Sequence, residues 1–250
     1  MSRTIDGPHE WPRIGVDLQD HAPVEASMDR YGHKYLAAIL DESERLELGA
    51  RLRDPGVLAG RFAAKEAVFK VLGAGPADAV PWPAIRVHAP HGRRPEVTLH
   101  DRARELADAS GLRHVDISMT HTDSVSMACA VAISHRDLAS PAARLAPRIT
   151  HSFDRLITQR NLMNTSYELD PVIRSVLSSH VQFPTDEEHL ERTQSLYQAG
   201  MSSHTSVSVM LGLEDEFDIE FPEAMLTKQT FSSVESIAHA VMTVLNEQAR

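Results

Sequence analysis

Four charged residues lie close together in one short segment, where a single carboxylate is surrounded by cations. Glu66 follows Arg61 and Lys65 and precedes Lys70. Glu66 and Lys70 are four residues apart and therefore share one face of any helix that contains them. On a solvated face such a pair stabilises a helix by only about 0.2–0.5 kcal/mol. These residues alone favour the solvated face, and chemistry at Glu66 depends on what the rest of the chain contributes.

Two further residues could do chemistry in regular structure. Asp17 lies in a short apolar run, residues 13–18, that predicts a strand. A buried lone aspartate is costly without a partner, so Asp17 should meet a cation or a metal ion, or else lie exposed at the end of the strand. Ser203 precedes a helical segment and is ordinarily only an N-cap there. The free N–H groups and the dipole of a helix N-terminus would also favour a phosphate ester on its hydroxyl.

The first half of the chain alternates helical and strand patterns around one central helix. Apolar residues recur at helical spacing over residues 58–72, and Gly73 is a natural left-handed stop. His121 is placed at the tip of a hairpin, where a histidine is usually a solvated turn residue. Further helices are predicted over residues 24–40 (broken at Gly32), 41–52 and 101–109, and strands over residues 13–18, 85–88, 97–99, 115–119 and 125–133.

The second half has a different pattern. Residues 138–150 have linker composition, and the segment up to about residue 167 holds at most one extra helix. From Leu169 onward the apolar spacing is helical throughout, which predicts a small helical bundle. The sequence Ser-Ser-Val-Glu at residues 232–235 is a capping box that opens the last helix.

Composition and charge restrict the class of protein. The single cysteine excludes an intrachain disulfide and fits a reducing, cytoplasmic setting. No apolar run approaches the about 20 residues of a membrane span, and we expect a soluble protein without a membrane partner. Residues 168–250 contain 14 acidic and 4 basic residues, whereas residues 1–167 carry no net charge. An acidic last third argues against nucleic acid, whose phosphates bind Lys and Arg.

Three segments of the first half resemble the signature segments of holo-acyl-carrier-protein synthases, which are small trimeric 4′-phosphopantetheinyl transferases. In that family the segments read Gly-x-Asp, Arg-Phe-x-x-Lys-Glu-Ala-x-x-Lys and Ser-x-x-His-Thr. Residues 15–17, 61–70 and 118–122 match them here, within a resemblance that covers roughly residues 13–135. It implies an α+β domain, an antiparallel sheet with a long central helix, over residues 1–137.

The second half resembles acyl carrier proteins. That family carries phosphopantetheine on the serine of an Asp-Ser-Leu segment, ahead of a helix that ends in an acidic segment with Phe-Asp. Residues 202–204 align with the first segment and residues 213–218 with the second. The resemblance makes Ser203 the attachment site in an all-α domain over residues 169–250, with residues 138–168 as a linker that holds a possible helix.

The resemblance also implies a role for each candidate residue. Asp17 and Glu66 become ligands of Mg²⁺ that holds the pyrophosphate of coenzyme A, which fits the preference of Mg²⁺ for one or two carboxylates with waters and phosphate oxygens. Lys65 and Lys70 join them as catalytic residues. Arg61, Lys65 and Lys70 would balance phosphate charge, and His121 would belong to the site of the nucleotide 3′-phosphate. The general base is not identified; a metal-bound water could serve, oriented by Asp17 or Glu66.

Several residues depart from the family patterns. Asp20 stands where the synthases have Glu, and Pro23 where they have the Arg that grips the carrier. In the carrier half, Ser202 replaces the usual Asp and His204 the usual Leu. Recognition is therefore altered on both sides, which suggests a transferase fused to the unusual carrier that it modifies.

Two functions follow. The first is an enzyme that transfers 4′-phosphopantetheine from coenzyme A to a carrier serine, releasing 3′,5′-ADP, with Ser203 or a separate carrier as the acceptor. It would be a cytoplasmic homotrimer in fatty-acid or polyketide biosynthesis. The alternative is a carrier and interaction protein with a silent synthase-like scaffold, in which another enzyme loads Ser203.

Overall fold

The computed structural model describes residues 12–74, 78, 80–90, 93–134, 169–183 and 190–248. The predicted linker, residues 138–168, lies outside them, and so does part of the loop that follows the central helix. No helix within the described residues is long and apolar enough to span a bilayer.

A three-stranded antiparallel sheet forms the base of the first half. Its strands are β1 (Pro12–Asp20), β4 (Leu112–His121) and β5 (Val125–Ser134), in the order β1-β5-β4. A separate antiparallel pair consists of β2 (Ile85–His88) and β3 (Glu96–Leu99). The α+β fold with an antiparallel sheet is confirmed, although the strands of the main sheet extend beyond the predicted ranges.

The central helix, which follows three shorter ones, is α4 (Pro55–Leu72). The side chain of Asp54 caps its N-terminus, and Gly73 ends it in the left-handed conformation at φ 69°. Both ends follow from the sequence. The expectation of a solvated polar face is wrong, because Arg61, Lys65 and Glu66 are all buried. The helix is packed on several sides by the sheet, by other helices and by the β2 strand.

The remaining helices of the first half lie around α4. Gly32, at φ 52°, breaks the predicted 24–40 segment in two, as expected. These helices are α1 (His21–Tyr31), α2 (His33–Ile39), α3 (Glu42–Leu48) and α5 (Asp101–Ala109).

The second half is helical, as predicted. Its helices are α6 (Asp170–His180), α7 (Leu196–Ala199), α8 (Ser203–Phe217) and α9 (Val234–Gln248). The capping box before α9 is shifted by one residue from the prediction. Ser233 and Ser236 bond each other's backbone N–H at 3.1 and 2.9 Å, while Glu235 faces Arg192 at 3.8 Å. The helix begins one residue later than the sequence pattern indicated.

The two halves contact each other directly. Helices α1 and α2 of the first half pack against α8 of the second. The hydroxyls of Ser27 and Ser208 are 2.7 Å apart, and the hydroxyl of Tyr31 lies 2.5 Å from Nε2 of His180. We call residues 12–134 the synthase half and residues 169–248 the carrier half.

Candidate active site

The carboxylate of Glu66 accepts hydrogen bonds from residues of both halves. It lies in the middle of α4 and is only 3% exposed. The indole Nε1 of Trp82 donates to its Oε1 at 3.1 Å. Its Oε2 accepts two hydrogen bonds from the carrier half, from the hydroxyl of Ser203 at 2.9 Å and from Nζ of Lys228 at 2.7 Å. Glu66 is therefore a buried acid whose partners include the predicted attachment serine.

Ser203 is the first residue of α8, so the predicted position at a helix N-terminus is confirmed. The neighbouring Ser202 is the N-cap, and its hydroxyl accepts from the backbone N–H of Thr205 at 3.0 Å. Because Ser202 performs the capping, the hydroxyl of Ser203 is left to point across the interface to Glu66. The two adjacent serines thus have separate tasks.

His204, which replaces the family's leucine, is matched by a partner in the synthase half. It is buried, and its Nε2 lies 2.7 Å from the hydroxyl of Tyr35. The ring of Phe62 meets its imidazole edge to face at 5.6 Å between centroids. Burial lowers the pKa of His204 to about 4 and raises the pKa of Tyr35. The pair is therefore neutral near pH 7, and the departure from the family pattern forms a contact between the halves.

Asp17 meets a cation, as its place in an apolar run indicated. It lies within β1, three residues from its end, and Nζ of Lys70 donates to its Oδ1 at 2.9 Å. Its Oδ2 accepts from Gln19 at 2.7 Å. Lys70 is one turn along α4 from Glu66, so the two predicted metal ligands are linked to the same stretch of helix.

Lys65 and Arg61 are arranged differently from what we expected. Lys65 is fully buried, donates to Glu44 at 2.8 Å, and also bonds backbone carbonyls at Trp82 and Ile85. Arg61 donates to Glu47 at 2.7 Å. Each cation is buried against a glutamate of α3 in this structure, and its expected role in balancing phosphate charge stays a prediction. Burial lowers the pKa of Lys65, an effect that Glu44 opposes.

His121 lies apart from Glu66. It lines a cavity of about 330 Å³ together with residues such as His21 and Asp54, at the N-terminal end of α4. Ten residues of helix, about 15 Å, separate this end of α4 from Glu66. The structure thus pairs Ser203 with Glu66 and, one turn along α4, Lys70 with Asp17, and it places His121 at the N-terminal end of the helix.

The carboxylates are chemically suited to hold Mg²⁺. Asp17 and Glu66 each form an ion pair with a lysine ammonium group, so each carboxylate already binds a cation in this structure. Within the described residues no cluster of three or more metal-ligating side chains is present. Two carboxylates nevertheless suffice for Mg²⁺, which takes its remaining ligands from water and phosphate.

Sequence reasoning missed Lys228 and Trp82 as partners of Glu66. The sequence did single out Lys228, because residues 168–250 contain only 4 basic residues against 14 acidic ones. Trp82 had no such signal, because no helix or strand spacing brings together two residues that are 16 positions apart in different elements.

The fold and site together define a two-part protein in which a carrier-like helical bundle presents a serine to an acid of an α+β domain. Residues 13–130 match the model of the 4′-phosphopantetheinyl transferase superfamily. Over 117 residues the chain is 37% identical to a holo-[acyl-carrier-protein] synthase of Moorella thermoacetica, covering 47% of this chain and 90% of the relative. The chain belongs to this family of transferases, which confirms the prediction of an enzyme.

Two more comparisons found similar proteins. The second half is similar to the aminoacyl carrier protein of Agrobacterium fabrum, with 38% identity over 78 residues, covering 31% of this chain and 94% of the relative. Among solved structures, holo-[acyl-carrier-protein] synthase of Neisseria meningitidis is 28% identical, covers 48% of this chain and 95% of its own, and has a TM-score of 0.44.

Proposed function

We propose that this protein transfers 4′-phosphopantetheine from coenzyme A to a carrier serine and that its own Ser203 is an acceptor. The observation that carries the proposal is the 2.9 Å hydrogen bond from the hydroxyl of Ser203 to Glu66. A residue predicted to be the attachment site thus contacts a residue predicted to lie in the active site, although 136 positions separate them in the chain. The bond lies between two halves that each have relatives of the expected kind.

The reaction is a substitution at phosphorus. The oxygen of Ser203 forms a bond to the phosphorus that carries pantetheine, and the bond from that phosphorus to the bridging oxygen of the pyrophosphate breaks. The leaving group is 3′,5′-ADP, and the hydroxyl proton of Ser203 must be released. In the docked arrangement that proton points to Oε2 of Glu66.

The side chains around Glu66 have different tasks in this proposal. Asp17 and Glu66 would hold Mg²⁺, which supplies charge neutralisation for the pyrophosphate when it is bound. Lys70, half exposed and beside Asp17, is the cation that can reach a phosphate. Lys65 and Arg61 fix the shape of α4 through their glutamates and support the site from within. His121 remains our proposal for the 3′-phosphate site, in the cavity beside His21.

We further propose that the functional unit is a homotrimer. The outer face of β1 and β5, opposite α4, exposes a continuous set of apolar side chains. Ile14, Leu18 and Ile133 are 63%, 62% and 49% exposed. A contiguous exposed apolar patch marks an interaction surface, and further copies of this chain are its proposed occupants. The position of His121 at the N-terminal end of α4, about 15 Å of helix away from Glu66, supports this arrangement, because a neighbouring copy could complete each site.

The carrier half suggests which acyl group the phosphopantetheine arm carries. The expectation of fatty-acid or polyketide chemistry rested on the general family, whereas the similar relative is named an aminoacyl carrier protein. We therefore propose that the arm on Ser203 carries an aminoacyl thioester. Mass analysis of the group that hydroxylamine releases from the loaded protein tests this, and release of a fatty acid or polyketide would contradict it.

Intact mass of the apo protein after incubation with coenzyme A and Mg²⁺ tests the transfer itself. We expect a gain of one phosphopantetheine that is absent in Ser203→Ala and in the isosteric Glu66→Gln. Ser202→Asp is the matched control, because it restores the family residue, keeps the N-cap and should still be loaded. No gain on this chain or on an added separate carrier would favour the alternative, a carrier with a silent scaffold.

A further inference from the structure

Glu66 receives a positive charge from the carrier half. It is almost fully buried, and a buried carboxylate is costly without a partner charge. Lys65, the preceding residue, is already bonded to Glu44. Among the described ion pairs, the one that Glu66 makes is with Lys228, at 2.7 Å and on the same Oε2 that accepts from Ser203.

The loop that precedes α9 holds Lys228 in place. Thr227 is buried, and its backbone N–H bonds the carbonyl of Met225 at 2.8 Å. The hydroxyl of Thr227 also accepts from the backbone N–H of Thr230 at 3.3 Å. On the other side, the ammonium of Lys228 lies 5.0 Å from the centre of the Phe69 ring, within the range of a cation–π interaction. Its own loop and two side chains of α4 therefore position Lys228.

The charge of the carrier half makes this contact informative. Residues 168–250 carry 14 acidic and 4 basic residues, so an acidic bundle is docked against a buried carboxylate. Without a cation at position 228 the carrier half would bring no described charge to compensate Glu66. A separate carrier protein would have to place a cation at the same point to be docked in the same way.

We propose that Lys228 is a positioning residue that selects the chain's own carrier half for loading. By pairing with Glu66 it places the hydroxyl of Ser203 on the same carboxylate, and it disfavours carriers that lack a cation there. This inference rests on the proposed function and assigns the choice between the two acceptors to one side chain. Lys228 is not itself a group that reacts.

The experiment compares four chains: wild type, Lys228→Met, Lys228→Arg and Lys34→Met. Each is incubated in apo form with an equal amount of a separate acyl carrier protein, coenzyme A and Mg²⁺, and the loading of both acceptors is followed by mass. Lys34→Met is the matched control, because Lys34 pairs with Asp215 across the same interface but both side chains are more than half exposed. Exposed pairs contribute little.

We expect Lys228→Met to lower the rate on Ser203, relative to the separate carrier, by about tenfold to a hundredfold, as for a lost hydrogen bond to a charged group. Lys228→Arg should retain most of the preference, and Lys34→Met should change it by less than about twofold. An unchanged preference in Lys228→Met would overturn the inference, and so would faster loading of Ser203, which would make Lys228 a blocking residue.

A second readout needs no coenzyme A. Hydrogen exchange at the backbone amides of residues 203–207 reports docking of α8 on the synthase half. We expect faster exchange in Lys228→Met and near wild-type exchange in Lys228→Arg, and equal exchange in all chains would overturn the inference. If no chain loads either acceptor, the proposed function fails while this measurement still decides the role of Lys228.

Discussion

The ion pair of Lys65 with Glu44 shows how a buried charge in α4 serves the fold. Both side chains are fully buried, and Lys65 also bonds two backbone carbonyls. Removal of one partner of a buried pair leaves the other charge uncompensated. We expect Lys65→Met to lower the free energy of unfolding by about 3–5 kcal/mol, measured in denaturant. A double variant with Glu44→Gln should recover part of this loss, and a wild-type stability of the single variant would contradict the account.

His204 makes docking of the carrier half depend on pH. Burial lowers its pKa to about 4, from an ordinary value of 6.5 that it would approach if the halves separated. The neutral imidazole therefore favours docking, which is strongest above pH 6.5 and weakens as the pH falls from 6.5 toward 4. Burial lowers the pKa of His180 too, so it acts in the same direction. Hydrogen exchange in α8 at pH 7.5, 5.5 and 4.5 measures the effect.

The control for this dependence is His204→Leu, which restores the family residue. This variant should reduce the pH dependence of docking. Docking should still weaken toward low pH, because His180 remains. Docking that strengthens toward low pH would contradict the proposed role of the buried imidazole.

The residue types of the site were predictable, but their partners were not. Asp17, Glu66 and Ser203 stand in recognisable segments; Ser203 bonds Glu66, and Asp17 bonds Lys70, one turn along α4 from Glu66. The burial of Lys65 and Arg61 was not predictable from spacing, because their glutamates lie on α3, some 14 to 21 residues earlier. From sequence alone, a charged helix face predicts exposure to solvent, because the pattern does not show which opposite charges lie next to it in space.

At the scale of elements, Gly15 permits the close packing of β1 on α4. A Cβ at this position would overlap the backbone carbonyl of Ala67. This approach places Asp17, two residues further along β1, beside Lys70 of α4. The glycine of the Gly-x-Asp segment is therefore explained by packing, and the aspartate by its charge.

We expect Gly15→Ala to cost about 3 kcal/mol or more, because a backbone carbonyl cannot move aside as a flexible side chain can. Gly60→Ala, a glycine replacement within α4 itself, is the matched control. A Cβ there would have Ser126 as its nearest neighbour at 3.8 Å, so this change should be neutral or stabilise the helix by up to about 1 kcal/mol. Equal thermal stabilities of the two variants would contradict the packing argument.

The elements themselves followed closely from the sequence. The stop of α4 at Gly73 and the break at Gly32 were predictable because glycine adopts positive φ at little cost, and in the structure both do so, at 69° and 52°. The shift of the cap before α9 was not predicted, because Ser232 and Ser233 offer competing hydroxyls and only the three-dimensional structure shows which one bonds the backbone.

At the scale of the whole molecule, the apolar outer face of the sheet is expected to be covered by further copies. Ile14 and Val131 pair across β1 and β5, and so do Leu18 and Met127. We expect Leu18→Lys to dissociate the assembly without unfolding the chain, because this side chain is 62% exposed in the single copy. Light scattering after size exclusion measures the mass. A wild-type protein that is monomeric would contradict the proposed trimer.

Docking between the halves is the feature that sequence reasoning reached least. The family patterns predicted altered recognition on both sides, and the pair of His204 with Tyr35 is one such match. Which residues meet across the interface depends on the relative placement of two separately recognisable units, and no local pattern encodes that. The domain boundaries at residues 137 and 169 stay predictions.

The most direct test of the central claim, that a chain loads its own Ser203, is a complementation experiment followed by intact mass. Ser203→Ala keeps the proposed active site without an acceptor, and Glu66→Gln keeps the acceptor without that carboxylate. With coenzyme A and Mg²⁺ at low protein concentration, we expect wild type to gain one phosphopantetheine. The equimolar mixture of the two variants should gain it at least about tenfold more slowly, because the acceptor must then come from another chain and displace the carrier half already docked there. A mixture that is loaded as fast as wild type would contradict the claim.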